Sequence, residues 1–167
     1  YQVQVRTLQL PDDPKRFALA IDALQEQVDL ILTVGGISAG AYEVVRQALS
    51  PLGGSFHHVA IQPGGPQGFA RLPQAAVLCF PGNPVSALLS AELFLAPLLR
   101  KLNALPEPVP QYYPLAADAS SPEHKHQVRR AVIREGQVEI LDPGSHLVHD
   151  LARADALVHI PVGVSQM

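Results

Sequence analysis

A chain of 167 residues with 47% hydrophobic and 16% charged side chains is long and apolar enough to bury its own core, which excludes a disordered polypeptide. Its 12 basic and 15 acidic residues leave a net charge of -3, which argues against nucleic acid or an anionic membrane as the main partner. No apolar run approaches the roughly 20 residues that span a bilayer, no signal-peptide pattern opens the chain, and the single Cys79 cannot form an internal disulfide, as expected of a cytoplasmic protein.

Residues 1–10 alternate polar and apolar side chains, as a half-buried strand does. Tyr1 is not an initiator Met and heads this strand-like stretch, so the chain reads as part of a longer one. Pro11-Asp12-Asp13-Pro14 stops the strand; Asp13 is placed to cap a helix that Pro14 opens, and Phe17, Ala18, Ile21, Leu24 and Val28 form its apolar stripe. Val28 to Val34 is apolar without alternation, the pattern of a central parallel strand buried on both faces. A glycine-rich loop, Gly35-Gly36-Ile37-Ser38-Ala39-Gly40, leads into a helix from Tyr42 to Leu49, ended by Pro51 and Gly53-Gly54.

Phe56 to Ile61 is the next expected strand, and Gln62 to Gly68 is rich enough in Gly and Pro to read as loop throughout. Ala75 to Phe80 is another buried strand. It runs into Pro81-Gly82-Asn83-Pro84, where Asn83 can cap and Pro84 can open a helix carrying Val85, Leu88, Leu89, Glu92, Leu95, Ala96 and Leu99, with a kink expected at Pro97. Strand and helix alternate three times, which predicts an α/β fold in three layers, a mostly parallel sheet covered by helices on both faces. Ligands of such sheets bind at the carboxyl ends of the strands, so Asp12-Asp13, Gly35 to Glu43 and Pro81 to Pro84 are expected to converge on one crevice.

Prolines at 106, 108, 110 and 114 form a stiff connector after Asn103 and divide the chain into residues 1–104 and 105–167. Beyond it the expected elements are short: strands Tyr112 to Ala116, Gln127 to Arg134 and Gln137 to Leu141, a helix from His146 to Ala152, and a last strand from Ala156 to Ile160. Turns at Glu135-Gly136 and Asp142-Pro143-Gly144 separate them. This pattern describes a small, mostly β domain.

The glycine loop has neither dinucleotide-fingerprint nor P-loop spacing. It reads either as a backbone cradle for a phosphate, with Thr33 and Ser38 adding hydroxyl donors, or as a tight turn. Only one of Asp12 and Asp13 is needed as a cap, which leaves the other for a metal ion. Glu43 either complements a helix dipole, worth about 0.3–1 kcal/mol, or is the second carboxylate of a Mg2+ site. The seven histidines give no zinc quartet, although His58 precedes the Gln62 to Gly68 loop closely enough to face the crevice.

Three stretches carry a family resemblance: Thr33-Val34-Gly35-Gly36-Ile37-Ser38-Ala39-Gly40, Gln62-Pro63-Gly64-Gly65-Pro66, and Pro81-Gly82-Asn83-Pro84-Val85-Ser86-Ala87. Their order and separation resemble those of the molybdopterin molybdenumtransferases, relatives of the E domain of gephyrin, over nearly the whole chain. The resemblance implies a molybdopterin-binding domain lacking its N-terminal strand over 1–104 and a β-barrel-like C-terminal domain over 105–167. It also implies an enzyme that inserts molybdate into adenylylated molybdopterin and releases AMP, with Mg2+ as cofactor, and that is a homodimer at full length. Asp12, Glu43 and Ser38 would then be catalytic, with both carboxylates on Mg2+. Asp13, Thr33, Gly35, Gly36, Gly40, His58, Gln62, Pro63, Gly64, Pro81, Gly82, Asn83 and Pro84 would contact substrate.

The chain departs from the family in two places. Glu43 stands where the family most often has Asp, and His58, Gln62 and Gly65 stand where lysines often fall. Neutral donors hold anions less strongly than charged ones, so a cation such as Arg71 or one from a partner subunit would be needed to compensate, and the sequence does not show which. Two other readings share the pterin-binding domain. A molybdopterin adenylyltransferase leaves the residues after Asn103 unexplained, whereas a non-catalytic pterin-binding module accommodates the absent lysines.

Overall fold

The computed structural model describes every residue except 39, 41, 42 and 145–147. Helix α1 (Pro14–Gln25) starts where local chemistry dictates. Asp13 is extended, and its Oδ1 accepts from the Lys15 and Arg16 backbone N–H groups at 2.9 and 3.2 Å. In chain order there follow β1 (Leu30–Val34), α2 (Val44–Leu49), β2 (Ser55–His58), β3 (Ile61–Gln62), β4 (Pro66–Arg71), β5 (Ala76–Phe80), α3 (Pro84–Ser90) and α4 (Ala96–Leu102). After residues 103–125 come β6 (His126–Arg134), β7 (Gln137–Ile140), α5 (Val148–Arg153) and β8 (Ala156–Ile160). Tyr42, expected to begin the second helix, and His146, expected to begin the fifth, lie outside the described residues.

The first sheet has the order β1-β5-β4-β2, and only the β1/β5 pair is parallel. The expectation of a mostly parallel sheet is therefore corrected. The reason is the short turn between β4 and β5, closed by the Leu72 N–H donating to the Ala75 carbonyl at 2.9 Å, which is too short for a crossover and forces antiparallel pairing. The loop expected over 62–68 is corrected as well, because β4 already begins at Pro66. Gly68 is a strand residue here: a β-carbon on it would stand 2.5 Å from the Phe56 ring, so the glycine makes room for the cross-strand aromatic.

Residues 1–10 pair with no described strand, and residues 1–9 are exposed. Alternation marks a segment suited to a half-buried strand, but a ladder needs a neighbour, and only Leu10 reaches the core. The run expected as one strand over 56–61 is divided between β2 in the first sheet and β3 in the second. A π-helical turn over Ala91–Leu95 separates α3 from α4, so the helix widens just ahead of Pro97, whose ring cannot supply a backbone N–H.

In the second sheet β6 pairs in parallel with β3 (Ile61↔His126, Gln62↔Gln127) and antiparallel with β7 and β8. Glu135 and Gly136, at φ 49 and 76, form the two-residue turn between β6 and β7. Every pairing between described strands of this sheet includes β6, so the sheet is open rather than barrel-like, which corrects that expectation. The expected strand from Tyr112 to Ala116 is reduced to one bridge between Leu115 and Val138.

Ile31, Ala70, Val77 and Cys79 line one face of the first sheet and share a buried cluster with Phe17 and Ile21 of α1 and Val44, Val45, Ala48 and Leu49 of α2. Val85 and Leu89 of α3 join Val128 of β6 in a second cluster. Helix α3 thus leaves the first sheet at Phe80 and packs against the second.

Candidate functional site

The adjacent strands β1 and β5 both end in glycine-bearing loops, and these loops touch through their backbones. The Gly35 N–H donates to the Phe80 carbonyl at 2.9 Å, and a β-carbon on Gly82 would lie 3.3 Å from the Gly35 Cα. Gly35 and Gly36 have φ of 91 and 70, a conformation that disfavours any side chain. A β-carbon on Gly36 would also meet Val45 at 2.9 Å, so the loop turns tightly onto α2. Buried Ile37 anchors the loop and leaves Ser38 exposed.

Arg46, which the sequence did not single out, ties this loop down. Its backbone N–H donates to the Gly36 carbonyl at 3.1 Å, and its guanidinium lies 5.5 Å from the centre of the Phe56 ring. Glu43 stands at the start of α2 without a side-chain cap bond, its Oε1 turned to within 3.3 Å of where a Gly40 β-carbon would be. Thr33 is buried in register with Cys79, and its hydroxyl faces the Cys79 thiol. Burial pushes the Cys79 thiol up to about 11, while the Thr33 hydroxyl beside it acts in the opposite direction.

Only residues 26–29 separate α1 from β1, and α1 is about as long as the strand. The start of α1 therefore lies toward the carboxyl end of β1, with Asp13 used as the cap and Asp12 exposed beside it. Asn83 caps α3, its Oδ1 accepting from the Ser86 N–H at 3.0 Å, and Pro84 occupies the first turn.

The loop between β3 and β4 meets this wall from the side of the second sheet. The Gln62–Pro63 peptide is cis, and Gly64 has φ 97. Gly64 abuts Ser90 and the Ser86 carbonyl of α3, at 3.3 and 3.5 Å from an added β-carbon. His58 is exposed and lies over Gly65, where a β-carbon would come within 2.6 Å of the imidazole. His58 therefore fills the space that a side chain at position 65 would need.

Two cations that sequence reasoning missed stand beside Pro63. A narrow cleft is lined by Pro63, Leu89, Val128, Arg129, Arg130, Asp142 and Pro143. Arg129 Nη2 donates to the Leu141 carbonyl at 2.8 Å, while its Nε is buried without a partner. Burial draws the Arg129 pKa down, with Asp142 raising it and Arg130 lowering it further. Arg130 is 3% exposed and donates to the Asp142 and Gly144 carbonyls at 2.6 and 2.9 Å. Arg71, by contrast, is in register with Ala76 at the start of β5, about 16 Å of strand away from Pro81. A cavity of about 530 Å³ lined by Gln25, Glu26, Gln27, Val28, Asp29 and Gln74 lies at the amino end of β1 and includes none of the expected site residues. The carboxyl ends of β1 and β5 are the better candidate, because two glycine loops meet there through their backbones at the edge of the sheet where ligands of such folds bind.

Residues 2–101 match a family model described as a probable molybdopterin binding domain. The chain is 39% identical over 178 aligned residues to molybdopterin molybdenumtransferase 2 of Mycobacterium tuberculosis (strain H37Rv), an alignment covering 98% of this chain and 43% of that protein. It is 44% identical over 120 residues to molybdopterin molybdenumtransferase of Synechococcus elongatus, covering 68% of this chain and 29% of that one. The fold matches the molybdopterin biosynthesis moeA protein from Pyrococcus horikoshii OT3 with a TM-score of 0.76 at 21% identity, over 95% of this chain and 38% of that structure. The chain thus spans less than half the length of these relatives.

Proposed function

Because this chain belongs to the molybdopterin-binding domain family, we propose that it holds molybdopterin at the carboxyl-end crevice, as part of a molybdopterin molybdenumtransferase that inserts molybdate into adenylylated molybdopterin and releases AMP. The observation that carries this reading is the backbone meeting of Gly35 and Gly82 at the ends of two parallel strands, inside the matched residues. With no β-carbon on either glycine, the strand ends stay open to a bulky anionic ligand, while the Gly35 N–H is itself held by the Phe80 carbonyl.

Arg129, beside Pro63, supplies positive charge that Gln62 and Gly65 cannot, and it is the residue we assign to an oxyanion, phosphate or molybdate. Asp12 and Glu43 suit Mg2+: they are hard oxygen donors, Asp13 rather than Asp12 does the capping, and the Glu43 side chain is not engaged as a cap. Bound there, Mg2+ would neutralise phosphate charge next to the pterin. Carboxylates alone would repel both phosphate and molybdate. In the same reading the complete enzyme is a cytoplasmic homodimer. No described helix is long and apolar enough to cross a membrane.

The test is to incubate the full-length protein with adenylylated molybdopterin, molybdate and Mg2+. AMP release that requires molybdate is the expected result. Tight binding of the pterin without turnover would replace the enzyme reading with that of a pterin-binding module, and no binding at all would remove both. Within that assay Arg129→Gln is expected to raise the molybdate concentration needed for half-maximal release by about tenfold or more, the loss of one charge-assisted bond.

A further inference from the structure

The loops at Gly64 and at Asn83 are joined by a hydrogen-bond chain that runs through two side chains, Gln67 and Ser90. Gln67 Nε2 donates to the Gly64 carbonyl and to Ser90 Oγ, each at 2.7 Å. The Ser90 hydroxyl donates a hydrogen bond to the Ser86 carbonyl at 2.7 Å, and the Ser86 N–H donates to the Asn83 cap at 3.0 Å. The donor count closes: the amide has two hydrogens for two acceptors, and the hydroxyl accepts one bond and donates one. The orientation of the amide is dictated, since a carbonyl at Gly64 can only accept. Ser90 is 1% exposed, so in the folded protein its hydroxyl is cut off from bulk water and depends on protein partners.

The glycine is part of the same device. At φ 97, and with Ser90 Oγ 3.3 Å from where its β-carbon would be, Gly64 lets the loop backbone come down onto α3. We propose that Gln67 is a positioning residue: it locks the Gln62–Pro66 loop onto α3, so that this loop and the Pro81–Pro84 loop face a ligand as one rigid wall. The proposal rests on the pterin-binding reading above. A wall held in place before the ligand arrives avoids the ordering cost that two independent loops would incur on binding. It also bears on the departures from the family pattern, because a loop without lysines depends more on the exact placement of neutral donors.

The experiment compares wild type, Gln67→Leu, Ser90→Ala and the double variant in the full-length protein, at a temperature well below each variant's Tm. Two quantities are read: the Kd for adenylylated molybdopterin, and amide hydrogen exchange over residues 62–68. Gln67→Leu is expected to raise Kd about tenfold, equal to roughly 1.4 kcal/mol, and to speed exchange over 62–68 while leaving Val77 and Cys79 protected. Adding Ser90→Ala to Gln67→Leu is expected to change little more, because both variants cut the same tie. Wild-type binding that Gln67→Leu matches, or unchanged exchange over 62–68, would overturn the role of Gln67 alone. Failure of the wild type to bind the pterin would overturn the pterin reading and this role with it.

Discussion

Gly82 lies against Gly35 so closely that a β-carbon on Gly82 would stand 3.3 Å from the Gly35 Cα. The contact is backbone to backbone, so nothing flexible can swing aside, yet only Gly35 of the two has a positive φ. Gly36 combines a φ of 70 with a β-carbon that would meet Val45 at 2.9 Å, whereas Gly53 has φ 83 and open space around it. In urea unfolding Gly36→Ala is therefore expected to cost most, about 2–4 kcal/mol, since it combines a positive φ with a clash, whereas Gly53→Ala, strained but open, and Gly82→Ala, unstrained but tight against backbone, each cost about 1–2 kcal/mol. A Gly53→Ala loss as large as that of Gly36→Ala would mean that the Val45 contact contributes nothing.

The two neighbouring aspartates separate stability from function. Asp13 Oδ1 caps α1 through the Lys15 and Arg16 N–H groups, so Asp13→Ala is expected to destabilise by about 1 kcal/mol. Asp12→Asn removes only the charge and is expected to leave Tm within about 1 °C while lowering turnover of the full-length protein at least tenfold. A clear drop in Tm with full activity for Asp12→Asn would assign it to the fold instead.

A pH effect follows from the meeting of β6 and β8. His126 Nε2 and His159 Nδ1 are 3.1 Å apart with the rings edge to face. Burial, and then the neighbouring His126, lower the His159 pKa below its ordinary 6.5. The unfolded chain therefore takes up this proton first, so stability is present above pH 6.5 and is lost as pH falls below it. Melting curves from pH 7.5 to 5.5 are expected to show a smaller fall in Tm for His159→Gln than for wild type. Parallel curves would show that this pair contributes nothing to the acid response.

What the sequence revealed and what it hid divide along the distance of the interactions. The caps at Asp13 and Asn83 are legible because donor and acceptor lie within three residues of each other. The glycine loop and the Pro81–Pro84 loop are legible for the same reason, as local breaks in apolar strands. β4 was not, because Pro66 and Gly68 carry turn chemistry in sequence, and only the Phe56 ring across the ladder explains the glycine. Residues 1–10 show the converse case, a strand pattern without a described partner strand. The missing cations were least accessible of all: Arg129 reaches Pro63 only because Gln62 pairs with Gln127, a register that no local pattern encodes.

Cys79 offers a probe of the whole first sheet. It is fully buried on β5 between β1 and β4, and burial pushes its thiol from 9.0 up to about 11. At pH 8 the folded protein then has about one thiol in a thousand ionised, and even that fraction is shielded from reagent. Iodoacetamide is expected to label the native chain only as fast as the sheet opens, and to label it at once in denaturant. The linkage sign is fixed by the same shift. Between pH 9 and 11 the unfolded thiol has lost its proton while the folded one keeps it, so stability falls as pH rises, by about 2–3 kcal/mol across the window. Cys79→Ala removes this dependence at the cost of a small cavity, and is expected to flatten the alkaline limb of the stability curve. A slope that persists unchanged in Cys79→Ala would show that other groups carry the alkaline loss, and rapid labelling of the native protein at pH 8 would show that β5 is not closed between its neighbours.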